Sequence, residues 1–175
     1  MNILLGMTGS VATIKGSELV DELSKIGSVK VVQTESATKF NTITINQAEI
    51  FRDHHEWRWE KLGDPVLHIQ LRDWYDVFVI APASANTIGK MANGICDNLL
   101  TTIWMASRNK KVIIAPAMNT QMWKHPIVEN NIRTLKTLDV QIIPPITKNL
   151  ACGEAGIGAM AHINEIVSNV KLSIG

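Results

Sequence analysis

The sequence predicts an α/β fold: one domain over residues 1–175 with a mostly parallel sheet covered by helices on both faces. Three observations predict it. Short apolar runs alternate with longer segments of helical spacing. The run DVFVIA, residues 76–81, is apolar almost throughout, as a strand buried on both faces must be. At 175 residues the chain is long enough to bury a sizeable core.

The elements follow in order. Residues 2–7 form a first buried strand, ending at Thr8-Gly9-Ser10. Residues 10–26 place Val11, Ile14, Leu19, Val20 and Leu23 at helical spacing, and Gly27 supplies a stop. Residues 29–32 are a short β-branched strand, and 37–40 open a short helix. Residues 43–59 show no clean periodicity. After the strand at 76–81, residues 86–104 read as helix, broken near Gly94. A strand at 111–115, a helix at 126–138 and a strand at 140–143 follow. A loop rich in Pro, Gly and Lys then leads to a final helix at 161–172.

Charge excludes some functions. Seventeen basic and sixteen acidic residues leave +1, which gives no electrostatic case for nucleic acid or an acidic membrane. The start, MNILLGMTG, lacks the charged and long apolar regions of a secretory signal, and no apolar run is long enough to span a bilayer. Two cysteines, Cys96 and Cys152, make no disulfide framework, so a reducing cytosol is expected. Cys96, beside Ile95 and Leu99, reads as a small buried filler.

Several segments could carry chemistry. The turn Gly6 to Val11 after the first strand offers backbone N–H groups to a phosphate; equally, it is a glycine turn with Ser10 as helix cap. Ser84-Ala85-Asn86-Thr87 follows the strongest strand and reads both ways too. His68 lies on an alternating pattern in DPVLHIQL, where a structural histidine is the common finding, yet histidine is the side chain best suited to moving protons near neutral pH. Cys152 sits in a glycine-bearing loop, placed for chemistry rather than packing. The octapeptide PAMNTQMW, residues 116–123, sets Asn119 and Met122 just beyond a strand end. His54, His55 and Glu56 read as a solvated loop rather than a metal site, and no metal is expected. His125 reads as a turn residue, His162 as exposed, and Trp57, Trp59, Trp74 and Trp104 as core or subunit-contact aromatics.

Taken in order, TGSVA, DPVLHI, SANT, GICDNLLT, PAMNTQMW and ACGE resemble the motifs of the flavin-dependent cysteine decarboxylases over nearly the whole chain. That family has a branch acting on phosphopantothenoylcysteine and another trimming the C-terminal cysteine of lantibiotic precursors. The resemblance implies a flavodoxin-like Rossmann sandwich that binds FMN, usually between the subunits of a trimer, with dodecamers in some members. It implies FMN contacts from Gly9, Ser10, Val11, Thr34, Ser36, Ser84, Ala85, Asn86, Thr87 and Ala117. It implies substrate contacts from Asn119, Met122, Asn149 and Ala151, with His68 as base and Cys152 as final proton donor.

The implied reaction is oxidation of the cysteinyl side chain to a thioaldehyde, loss of CO2 to an ene-thiolate, then return of the hydride. The family's ACGD loop is ACGE here, with Glu154 longer than Asp by one methylene. Cys152 favours the branch that makes 4′-phosphopantetheine for coenzyme A, since the peptide branch generally lacks this cysteine. The alternatives left open are a peptidyl-cysteine decarboxylase releasing an ene-thiol and a non-catalytic subunit regulating a phosphatase.

Overall fold

Alternation along β1 (Asn2–Met7) sets the two faces of the molecule: Ile3, Leu5 and Met7 enter one core and Leu4 the other. A computed structural model describes residues 1–40, 45–57, 60–151, 153 and 155–173. After β1 come a 3-10 turn (Val11–Lys15), α1 (Gly16–Ser24), β2 (Ser28–Gln33), α2 (Glu35–Thr38), β3 (Glu49–Arg52) and α3 (Asp53–Glu56). The chain then forms α4 (Leu67–Trp74), β4 (Val77–Ala83), α5 (Ala85–Ala92), α6 (Leu99–Ala106) and β5 (Lys111–Pro116). It finishes with α7 (Thr120–Trp123), α8 (Pro126–Thr137), β6 (Val140–Ile142), the strands β7 (Ile146–Asn149) and β8 (Ala155–Ala159), and α9 (Ile163–Leu172).

Six strands form one parallel sheet in the order β3-β2-β1-β4-β5-β6. Strand order reverses between β1 and β4, and the crevice beyond the strand ends at such a point is where ligands bind. α1 and α9 cover one face through Leu19, Leu23, Ile166 and Val170; α4, α5, α6 and α8 cover the other through Leu71, Ile88, Ile103 and Leu135. With nine residues α1 is too short to persist alone in water. Its buried face holds it, each large apolar side chain contributing about 1.5–3 kcal/mol.

The expected sandwich is present, and the departures from expectation are local. Residues 10–26 are not one helix. Thr13 N–H and Thr13 Oγ1 both donate to Ser10 O (3.0 and 2.9 Å), tightening the first turn to i→i+3 geometry and leaving Val11 and Ile14 about half exposed. β3 was hidden because it is an edge strand with Glu49 and Arg52 at its ends and no fully buried residue. The alternating segment around His68 winds into α4. The helix expected over 86–104 breaks as foreseen at Gly94, which has φ of +71°. Cys96 lies in that break and is exposed, not a buried filler, because the chain leaves the helix before reaching it.

Residues 53–56 form a helix rather than a solvated loop, and His55 Nδ1 accepts from Arg52 N–H (3.0 Å). Trp57 is 82 % exposed and so is not core. Trp74 and Trp104 pack on the second core, whereas Trp59 lies outside the described residues. His125, read as a turn residue, is the N-cap of α8, and His162, read as exposed, is the exposed N-cap of α9. Among the described residues no helix is long and apolar enough to cross a membrane. Tyr75 belongs to the core; burial pushes its phenol up to about 12, with Ser107 and Arg72 offsetting part of that.

Candidate active site

Thr8, fully buried just past β1, locks the two central strand ends together. Its Oγ1 donates to Pro82 O (2.7 Å) and accepts from Ser84 N–H (2.8 Å). The turns after β1 and β4 therefore sit side by side at the strand-order reversal. Each such turn ends in a capping side chain. Ser10 Oγ accepts from Ala12 N–H (3.2 Å) and Ser84 Oγ from Thr87 N–H (3.3 Å). Thr34 Oγ1 accepts from Ala37 N–H (3.3 Å), and Asn119 Oδ1 from Met122 N–H (2.8 Å). The capping reading holds for Ser10 and Ser84, Thr34 and Asn119 prove to be caps as well, and the arrangement leaves the first-turn N–H groups of α5 at the ligand end of the sheet.

Glycine permits the closest approaches. A Cβ on Gly9 would lie 2.6 Å from Ser36 Cβ, so only glycine lets the first turn and α2 close together. At Gly158, φ is +149° and a Cβ would lie 2.1 Å from Met118 O. Met118 N–H donates to Gly158 O (3.0 Å), docking the antiparallel β7–β8 hairpin on the turn that carries Asn119.

These turns and the hairpin enclose a cavity of about 940 Å³. Its volume is near the top of the ~300–1,000 Å³ range of small-molecule and cofactor sites. Gly9, Ser10, Val11, Thr34 and Ser36 line it from the β1 and β2 ends. Ser84, Ala85, Asn86, Thr87 and Ala117 line it from the β4 and β5 ends. Asn119, Met122, Asn149 and Ala151 complete the wall. Fourteen of the sixteen residues picked out in the sequence thus share one cavity. Lys15, Asp53, Lys90 and Asp97 line it as well and were not foreseen; Lys90 and Asp97 pair at 2.6 Å.

The remaining two behave differently. Cys152 lies outside the described residues, although its neighbours Ala151 and Gly153 form the tip of the hairpin, where Gly153 N–H donates to Leu150 O (2.9 Å). His68 is described but does not line the cavity. It sits in the first turn of α4, its side chain 23 % exposed, paired through Nδ1 with Glu56 Oε1. Glu56 Oε2 also accepts from His68 N–H (3.0 Å). Glu56 is one helical turn from Asp53, which does line the cavity, so the pair stands beside the site rather than in it. Sequence reasoning missed Glu56; the available signal was an acid twelve residues before the candidate base.

The donor set fits a flavin mononucleotide. Hydroxyls, an amide and a helix N-terminus suit its phosphate, and the apolar walls from Ala117, Met118 and Met160 suit a ring system.

Comparison with known proteins agrees. The profile of the family described as Flavoprotein matches residues 1–175. A phosphopantothenoylcysteine decarboxylase (HAL3) of Malus domestica is 48% identical, over 97% of this chain and 81% of that protein. A solved cysteine-to-serine mutant of a PPC decarboxylase, complexed with pantothenoylaminoethenethiol, superposes with a TM-score of 0.95 at 46% identity, covering 98% of this chain and 97% of that one. The FMN binding protein AtHal3 superposes with a TM-score of 0.91 at 46% identity, covering 99% and 96%. The chain belongs to the flavoprotein family and, within it, to the phosphopantothenoylcysteine decarboxylases.

Proposed function

We propose that this chain decarboxylates 4′-phosphopantothenoyl-L-cysteine to 4′-phosphopantetheine for coenzyme A synthesis, with FMN in the strand-end cavity. The observation that carries this reading is the cavity itself, which gathers the expected cofactor and substrate residues in a chain related to decarboxylases over almost its whole length. Bound FMN supplies the two-electron acceptance and return that the reaction needs.

The chain's own residues do the rest. The α5 N-terminus with Ser84, Asn86 and Thr87, and Ser10 across from it, hold the cofactor phosphate. Thr34 and Ser36, Gly9, Val11, Ala85 and Ala117 shape the remainder of the cofactor's bed. Asn119 has its Oδ1 committed to the α7 cap, so its Nδ2 amide hydrogens serve the substrate carboxylate. Met122 and the hairpin residues Asn149 and Ala151 close over the substrate and exclude water.

His68 accepts the thiol proton as the carbon–sulfur bond becomes a thiocarbonyl. That group takes up the electron pair released with CO2, giving an ene-thiolate. Cys152 donates a proton to the carbon that lost CO2, and the neighbouring carbon receives the hydride back. Redox change is nil overall. A reducing cytosol suits a mechanism that needs a free thiol.

His68 reaches the chemistry from a second copy of the chain. It stands outside its own cavity, and the rim carries half-exposed Val11, Ile14 and Met122 that a neighbouring subunit would cover. A trimer closes such sites with one shared cavity per interface, and trimers can assemble further to dodecamers. Co-expressing His68→Asn and Asn119→Ser chains under different tags tests this. Each alone is expected to be strongly impaired, and the purified mixed oligomer is expected to recover activity at sites pairing an intact His68 with an intact Asn119. Mixed oligomers that stay as impaired would place His68 in its own chain's site.

A further inference from the structure

We propose that Glu56 is the positioning residue for His68, fixing which ring nitrogen does the chemistry. The inference rests on His68 being the base and adds the group that makes it competent. Three observations carry it. Glu56 grips His68 twice, Oε1 against ring Nδ1 and Oε2 accepting from the backbone N–H at 3.0 Å. The two grips fix both the ring and the helix turn that bears it. Both side chains are largely shielded, 17 % and 23 % exposed, so the pair is not a solvated surface contact. Finally, α4 has no cap of its own: Val66 makes no side-chain cap bond and the first turn holds no acid, so Glu56 on α3 is the anion at that terminus.

The chemical consequence follows from the inventory of the ring. With Nδ1–H donated to the carboxylate, the lone pair is left on Nε2. Nε2 then accepts the substrate proton, and the imidazolium that forms already faces a carboxylate. Without Glu56 the ring is free to rotate and to adopt the other tautomer. A merely structural Glu56 would support the start of α4 and nothing more.

The test uses the FMN-bound full chain and four forms: wild type, Glu56→Gln, His68→Asn and the double variant. Glu56→Gln is expected to keep its flavin and oligomeric state, hold KM within about threefold, and lose kcat by about 10–100-fold, the size found when the hydrogen-bond partner of a metal-bound histidine is removed. The double variant should be no slower than His68→Asn alone, since Glu56 acts only through His68. Nitrogen NMR of wild type labelled at histidine should show His68 protonated at Nδ1, a readout that survives even if Glu56→Gln folds poorly. Wild-type kcat in Glu56→Gln, an Nε2–H tautomer, or a further loss in the double variant would each overturn the proposal. An inactive His68→Asn beside a fully active Glu56→Gln would refute the role of Glu56 alone. A fully active His68→Asn would remove the base itself.

Discussion

Asn119 caps α7 through one atom, and the proposed function assigns another atom of the same side chain to the substrate. Its Oδ1 satisfies the first turn of α7, while its amide hydrogens remain for a ligand. Serine caps a helix about as well as asparagine, whereas it has no amide to offer. Asn119→Ser is therefore expected to melt within a few tenths of a kcal/mol of wild type. It should lose about 1.5–3 kcal/mol of transition-state binding, roughly 10- to 100-fold in kcat/KM. Thermal denaturation and steady-state kinetics on one preparation check both halves; lost stability with unchanged kcat/KM would make Asn119 a cap only.

Most of the cavity-lining residues were picked out through the family resemblance, and some of them are caps as well. Ser10 and Ser84 were readable as caps at strand ends, and Thr34 and Asn119 turn out to cap in the same way. Glu56 had no such signature. Its significance lies in a contact between α3 and α4, and a pairing across a loop leaves no periodic trace in the chain.

Among the elements, buried strands and amphipathic helices were readable because burial imposes a period on them. β1, β4, β5 and α8 fall within two residues of expectation. The β7–β8 hairpin did not announce itself. ITKN and AGIGA have no alternation to detect, since the hairpin is held by backbone bonding and glycine contacts rather than by an apolar face.

That account makes Gly158 the pivot. Gly158→Ala forces a Cβ onto the Met118 carbonyl at a positive φ, so the hairpin must lift away from the Asn119 turn. Gly153→Ala at the hairpin tip is strained in φ (+86°) but meets no atom of the described residues within 4 Å. Gly158→Ala is expected to raise KM for substrate several-fold, with flavin content unchanged and a stability loss of about 1–3 kcal/mol. Gly153→Ala should cost about 1–2 kcal/mol with little change in KM. Equal KM values for the two variants would show that hairpin docking does not shape the substrate site.

At the scale of the whole molecule, topology creates the function. A strand-order reversal opens the crevice, Thr8 ties its two sides together, and the hairpin roofs it. His68 stands outside that crevice in its own chain, and that position is the ground for the shared site proposed above. The expectation of an oligomer came from resemblance alone; no periodicity in a sequence encodes which half-exposed side chains a second copy would cover.

The most direct measurement is mass spectrometry of the product after the FMN-loaded protein and its Cys152→Ser variant are each mixed with phosphopantothenoylcysteine. Wild type should yield a product lighter than substrate by CO2 alone, and Cys152→Ser one lighter by CO2 and two hydrogens. Wild type releasing the product that lacks two hydrogens, or Cys152→Ser completing the reaction, would contradict the account.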